Sequence, residues 1–397
     1  AFVARRLVAE PVALIFAVRD GMPDDLAGLP ELTVRGLAAD DEGLAKADAY
    51  LSSAHAAHRR GALPWSATPL VLSAGQEQLL SGAAETLSSV MDKVTKLYLK
   101  DASFRALFGF APEVEELTLV PTGYEALVPL ARVDVDFNGR TGALQVRGIT
   151  VDGFTGLTST VEVTRAEQMT SAYRAFAEKH PSIETPDSVE ALVETLRATY
   201  GTWANANTGT HHADSPALGI VGYPEEADLD EVADICERLG EQGTFARFVD
   251  ICSLRVVTAA GTSRLVDENG PIDCVYRLAT SEEIATRPCP GAEALVEAAR
   301  RGLACVIGGF STWSCGTDAL FGALRSSQAM SILSDDEMAF IEEHVPAPGS
   351  ESSVAGERLG LFVFGGKLAG VFPGSAEKDI MGECRDHVFR GCLIVRE

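Results

Sequence analysis

The chain is short of positive charge. Its 397 residues carry 33 Lys and Arg against 57 Asp and Glu, a net charge of −24. A surface of that sign repels phosphate backbones, so no nucleic-acid partner is expected. Long apolar runs are lacking too. Nothing approaches the ~20 residues that cross a bilayer, and the run "PVALIFAV" lies between Glu10 and Asp20 without the small-residue cleavage site of a secretory signal. No membrane partner and no signal peptide are expected. The pattern G-x-x-x-x-G-K-[ST] is absent, which excludes the phosphate cradle of that motif, and neither "VIGGF" nor "FVFGGKLAG" has G-x-G-x-x-G spacing, which argues against dinucleotide binding. The eight cysteines all lie in the second half and never form a CxxC pair. Spread through apolar segments such as "LACVIGG", they read as small core residues in a reducing compartment, and a cytoplasmic protein is expected.

What is present describes a globular protein. Hydrophobic residues make up 46% of a chain long enough for two or three domains. After a β-like opening, residues 40–110 have helical spacing, and "SAGQEQLLSGAAETLSSVMDKVTKLYL" predicts a long amphipathic helix behind a Ser cap. The stretch 131–156, "ARVDVDFNGRTGALQVRGITVDGFTG", predicts two strands joined at Asn138-Gly139, followed by helices in "TRAEQMTSAYRAFAEKHP" and "PDSVEALVETLRATYGTW". The polar "ANANTGTHHADSP" reads as a linker. From residue 217 strands alternate with helices, "ALGIVGY" leading into "PEEADLDEVADICERLGEQG" and "PGAEALVEAARRG" into "LACVIGGF", which predicts a largely parallel sheet covered on both faces. The last segment, with "RLGLFVFGGKLAGVF", predicts a hairpin turning at Gly-Gly. The fold class is therefore α/β with α+β elements.

Side chains on a strand alternate faces, so Arg132, Asp134 and Asp136 share one face of the first strand, and positions 148, 150 and 152 share one face of its partner. Those positions hold Gly148, Thr150 and Asp152. The arrangement reads either as a remnant polar pocket or as a surface salt bridge beside a turn aspartate.

Several segments in order, over residues 65–397, resemble the circularly permuted ATP-grasp proteins related to the synthetase part of glutathionylspermidine synthase. They include "ARVDVDF", "LQVRGITVDGFTGLTST", "GIVGYPEEADLDEVADICERLGEQG", "DENGPIDCVYRLATSEEI", "GAEALVEAARRGLACVIGGF", "ILSDDEMAFIEEHVP" and "LFVFGGKLAGVF". The resemblance implies a permuted ATP-grasp-like scaffold with a Rossmann-like pre-ATP-grasp domain. Residues 43–216 would form an ATP-grasp-like part with the hairpin, 217–345 the Rossmann-like domain and 346–397 a C-terminal hairpin remnant. Residues 1–42 resemble a fragment of the ATPase domain of LuxR-type regulators.

Members of the resembled family use ATP and magnesium to activate a carboxylate for attack by an amine. The resemblance implies a ligand-binding pocket at Arg132, Asp134 and Asp152, with Asp134 and Asp152 as metal ligands, but it expects Glu and Asn where Gly148 and Thr150 stand. The family's lysine and arginine are met by Thr317 or Asp318 and by Pro373-Gly374, and the phosphate-loop stretch is missing after "AFIEEHVP". Magnesium needs hard oxygen ligands and a triphosphate needs cations. The implied protein is a degenerate member that needs neither ATP nor any other cofactor and binds or acts on a small amino-acid- or peptide-like metabolite. Two alternatives stay open: a working ATP-dependent carboxylate–amine ligase, with ATP and magnesium as cofactors, and a noncatalytic binding or partner protein.

Three other places carry chemistry-bearing residues. His211 and His212, adjacent in an extended segment, point to opposite sides and read as linker residues. Cys315, in a glycine-flanked loop near Trp313, has no base nearby in sequence. Asp335 and Asp336 follow Ser334 and read as a helix start.

Overall fold

The computed structural model describes residues 40–54, 63–207, 215–350, 354–374 and 388–396. The LuxR-like segment up to residue 39 and the His211–His212 pair lie outside the described residues.

The long helix runs from Ala74 to Lys100. Ser73 starts it as part of a capping box: its side chain accepts from the Gln76 amide while the Gln76 side chain accepts from Ser73 N at 2.7 Å. Ahead of it, β1 (Leu70–Ser73) is a short strand. The buried stripe Leu80, Ala84, Leu87, Met91 and Val94 packs on the antiparallel sheet that contains the predicted hairpin, β2 (Leu130–Asn138) and β3 (Ala143–Thr150). The connection is four residues long, with the Asn138 carboxamide oxygen accepting from the amides of Arg140 and Thr141 and Gly142 at φ 74°. Asn138 thus organises the loop through its side chain, and a two-residue Asn-Gly turn does not form.

A short β4 (Ile183–Glu184) follows, and then the parallel unit. Its strands are β5 (Leu218–Gly222), β6 (Ala246–Asp250), β10 (Cys274–Arg277) and β11 (Cys305–Ile307), in the order β11-β10-β5-β6 and parallel throughout. Between them, β7 (Arg255–Ala259), β8 (Thr262–Asp267) and β9 (Gly270–Pro271) form a separate three-stranded sheet. Alternation sends Leu218, Ile220, Tyr276 and Ile307 to one face, against Ile235 and Leu239 of helix Leu229–Glu241 and Leu196 and Trp203 of helix Ser188–Ala206. Val221, Val249, Val275 and Val306 line the other face, against Leu295 and Ala298 of helix Pro290–Arg301. Both faces are covered, as the near-continuous apolar strands predict. The chain lays β6 on one side of β5 and then crosses to place β10 on the other, so β5 and β10 flank the point where strand order reverses.

Near the C-terminus, β12 (Glu357–Phe364) and β13 (Lys367–Pro373) form the Gly-Gly hairpin, with Gly365 and Gly366 at φ 54° and 84° as a primed turn requires. They extend the first hairpin into one sheet of order β13-β12-β2-β3. Finally β14 (Cys392–Val395) lies between β1 and β4. From Cys315 to Val345 the chain packs with the long helix and this antiparallel sheet, so this stretch shares the core of the hairpin, while Phe310, just after β11, still belongs to that of the parallel unit.

Helix Leu157–Gln168 begins earlier than its sequence suggests. "LTSTVEV" is rich in β-branched residues and reads as extended. Yet Thr160 and Thr164 return their hydroxyls to the carbonyls four residues back, and the whole first turn is buried between the antiparallel sheet and its helices. Packing overrides local preference here.

Candidate functional site

The predicted face of the first hairpin exists. Arg132 lies opposite Thr150 and Asp134 opposite Gly148, while a bulge at Arg147 shifts the register beyond them. On the other side of β2, Asp134 faces Gly360. Asp134 therefore has a glycine as cross-strand neighbour on both sides, which leaves a trough in the sheet surface. A Cβ at Gly148 would meet nothing within 4 Å, whereas one at Gly360 would lie 3.0 Å from Arg132 Cδ and 3.2 Å from Asp134 Oδ1. Arg132 forks onto Asp134, Nε donating to Oδ1 at 2.9 Å and Nη2 to Oδ2 at 3.3 Å. Its Nη1 donates to the Thr155 carbonyl at 3.1 Å, and its guanidinium carbon stands 6.0 Å from the Phe372 ring centroid. The two side chains keep 15% and 14% of their surface exposed. Two residues along the strand, Asp136 lies between Arg358 and Arg147 at 3.4 and 3.6 Å.

Asp152 does not continue that row. Strand β3 ends at Thr150, and Asp152 turns into the interior beside the parallel sheet, where it meets Arg277 at 2.8 Å. Sequence reasoning had not singled out Arg277. Its guanidinium is fully buried at the end of β10, donating to the carbonyls of Gly308 at 2.5 Å, Ala279 and Gly309, and it lies over the Phe310 ring. Burial pushes the Asp152 carboxyl above its ordinary value, against the pull of Arg277 and the Ser281 amide. The one available signal was an arginine ending the otherwise apolar strand "CVYR".

The loop from Asp152 to Gly156 joins these two ion pairs. Gly153, at φ 66°, passes so close to the Leu278 carbonyl that a Cβ would stand 2.9 Å from it. At its far end the Gly156 amide donates to Glu231 Oε2 at 3.0 Å, as does Thr158 N at 3.3 Å. Glu231, from helix Leu229–Glu241, thus caps the start of helix Leu157–Gln168 across the boundary between the two sheets. Its carboxyl is raised to about 8, by burial first and by Asp228 next, with the Thr158 and Gly156 amides opposing. At the other end of the same helix Glu167 is fully buried and also raised to about 8 by burial, with one oxygen accepting from Gly391 N and the other without a partner among the described residues. Neither acid carries a local sequence signature, because each contact spans more than 70 residues.

The residues present do not fit a magnesium site. Asp134 is committed to Arg132 and Asp152 to Arg277, Gly148 offers no side-chain donor, and the described residues contain no group of three or more His, Cys, Asp or Glu able to hold a metal ion. Cys315 is buried, in contact with Thr95 Oγ1 at 3.3 Å, and its thiol is pushed up to about 11 by burial. It is packed as a core residue. Ser334 caps helix Asp335–His344 with Glu337 completing the box, so Asp335 and Asp336 occupy its first turn as predicted.

The chain matches no protein-family model and no curated protein. Forty-nine chains of solved structures are similar to it. One is a glutathione synthetase-like effector from Globodera pallida in its apo form, 12% identical with a TM-score of 0.52, the match covering 77% of this chain and 70% of that one. At that identity the likeness concerns the fold alone: the chain has a mixed α/β architecture distantly similar to that of this glutathione synthetase-like protein.

Proposed function

We propose that the chain is a degenerate ATP-grasp-like protein that binds a small amino-acid- or peptide-like metabolite at the Arg132–Asp134 trough and does so without ATP. The observation that carries this reading is the pair itself: a bidentate, part-exposed Arg–Asp couple between two glycines. A zwitterion presents a carboxylate to an arginine and an ammonium to an aspartate, so it can exchange partners with a preformed pair at small net electrostatic cost. The open space over Gly148 leaves room for its substituent. In this reading Asp152 has a positioning role: held by Arg277, it anchors the loop whose Thr155 carbonyl orients Arg132.

Support for independence from ATP comes from the donor set. Magnesium would have to displace an arginine from each of its two candidate carboxylates. Thr317, Asp318 and Pro373-Gly374 supply no cation for a triphosphate.

Thermal shift against α-amino acids, short peptides and ATP with magnesium tests the proposal, since a ligand of the native state raises Tm by mass action. Stabilisation by an amino-acid-like ligand that is lost in both Arg132→Ala and Asp134→Ala is the expected result. A shift with ATP and magnesium would restore the ligase reading. Ligand binding unchanged in both variants would reduce the pair to a structural salt bridge.

A further inference from the structure

We propose that Arg147 selects the ligand of the Arg132–Asp134 trough by receiving a second, side-chain carboxylate, which makes the ligand an α-amino dicarboxylic acid. The inference rests on the reading of that trough as a binding site. It starts from the spacing along β3. Leu144, Val146 and Ile149 all lie in the core beneath the sheet, with Val133 and Val135 of β2. Val146 and Ile149 are three residues apart, where strict alternation gives an even spacing, because the register shifts by one residue after the Asp134–Gly148 pair. Gly148 and Arg147 therefore fall together on the open face. Without the bulge, the residue next to Gly148 would turn into the core.

Arg147 also has donors to spare. Its guanidinium comes to 3.6 Å from Asp136 Oδ2, beyond hydrogen-bonding distance, and it makes no hydrogen bond among the described residues, while 32% of its side-chain surface stays exposed. Asp136 does not depend on it, since Arg358 Nε donates to the other carboxylate oxygen at 3.4 Å. In a chain with 57 acidic residues against 33 basic ones, this part-buried arginine still keeps its N–H groups for an outside acceptor.

The open face then carries a row of charges: Arg132 opposite Thr150, Asp134 opposite Gly148, and Arg147 next along β3, beside Asp136. Asp134 and Asp136 are two residues apart, about 7 Å on a strand. That span suits the few bonds between the ammonium and the side-chain carboxylate of aspartate or glutamate, with a hydrogen bond at each end. The ligand's α-carboxylate meets Arg132, its ammonium Asp134 and its second carboxylate Arg147. Its carbon chain passes over Gly148, where a Cβ would meet nothing within 4 Å. A neutral amino acid leaves Arg147 unused, and a basic one brings like charge to it.

The test is isothermal titration of the native protein with glutamate, aspartate, glutamine, alanine and lysine. The expected result is that one of the two acids binds about tenfold more tightly than glutamine or alanine, with lysine weakest. Arg147→Gln, or Arg147→Ala should the glutamine variant fold poorly, should erase the preference for the acid and leave the affinity for alanine as it was. Arg147→Glu should turn the preference toward lysine, which the loss of a merely structural contact would not do. Equal binding of the acids and glutamine by the native protein, or a preference for the acid that survives without Arg147, would overturn the inference and leave the trough reading standing. No binding by any of these amino acids, and none by short peptides, would remove the trough reading and this inference with it.

Discussion

Two Arg–Asp pairs stand on two sheets of this molecule, and their surroundings give them opposite characters. Arg132 and Asp134 lie on the antiparallel sheet with about one-seventh of each side chain exposed, while Arg277 and Asp152 lie beside the parallel sheet with 0% and 1% exposed. In the proposed function the first pair would trade its partners for a ligand, since both side chains keep contact with the surface. The second cannot be opened without leaving a bare charge in the core. On that proposal one ion pair serves recognition and the other fixes a loop. The type of residue decides neither role; burial does.

The largest effect should come from breaking the buried pair. Arg277→Ala strands Asp152 and the carbonyls of Gly308, Ala279 and Gly309, and should lower the unfolding free energy in urea by about 3–5 kcal/mol. Arg132→Ala should cost about 1 kcal/mol, since exposure discounts the pair. Equal losses would erase the contrast.

Taken over a single pH unit, a middle-sized effect concerns pH. The folded carboxyls of Glu231 and Glu167 sit at about 8, above the ordinary 4.5, so the native state holds two protons over a range in which the unfolded chain has released them. The associated stability is fully present below the unfolded value and is lost as pH rises toward 8, at about 1.4 kcal/mol per unit for each group. Urea titrations from pH 5 to 8 should show a falling stability, and Glu231→Gln should remove about half of the slope while leaving the Glu167 share.

The smallest stability change belongs to Gly148. Space is free above it, so Gly148→Glu should alter stability by less than about 1 kcal/mol. Combined with Thr150→Asn, it returns oxygen donors beside Asp134, and isothermal titration should then detect magnesium binding in the double variant and none in the natural chain. A magnesium signal of equal size in both proteins would mean that Arg132 does not hold Asp134 against a metal ion.

Much of the scaffold was legible. Ser73 with Gln76 marked the long helix, the Gly365-Gly366 turn marked the last hairpin, and the apolar strands from Leu218 to Ile307 marked a sheet buried on both faces. Each depends on neighbours a few residues apart or on one period of side-chain alternation. The site was legible only in its hairpin half. Arg132, Asp134, Gly148 and Thr150 face one another because two adjacent strands must pair. Asp152 departed because the strand ended two residues before it. Its partner Arg277, like Glu231 on the Gly156 amide, comes from an element distant in the chain.

What the sequence determined by itself was most of the elements and the glycine opposite Asp134 within the first hairpin, since hydrogen-bonding geometry, capping and alternation act over short separations. Only the tertiary structure decided which charges lie deep and which stay wet. Desolvation and contact depend on what the rest of the chain lays over a residue, and no local pattern encodes that.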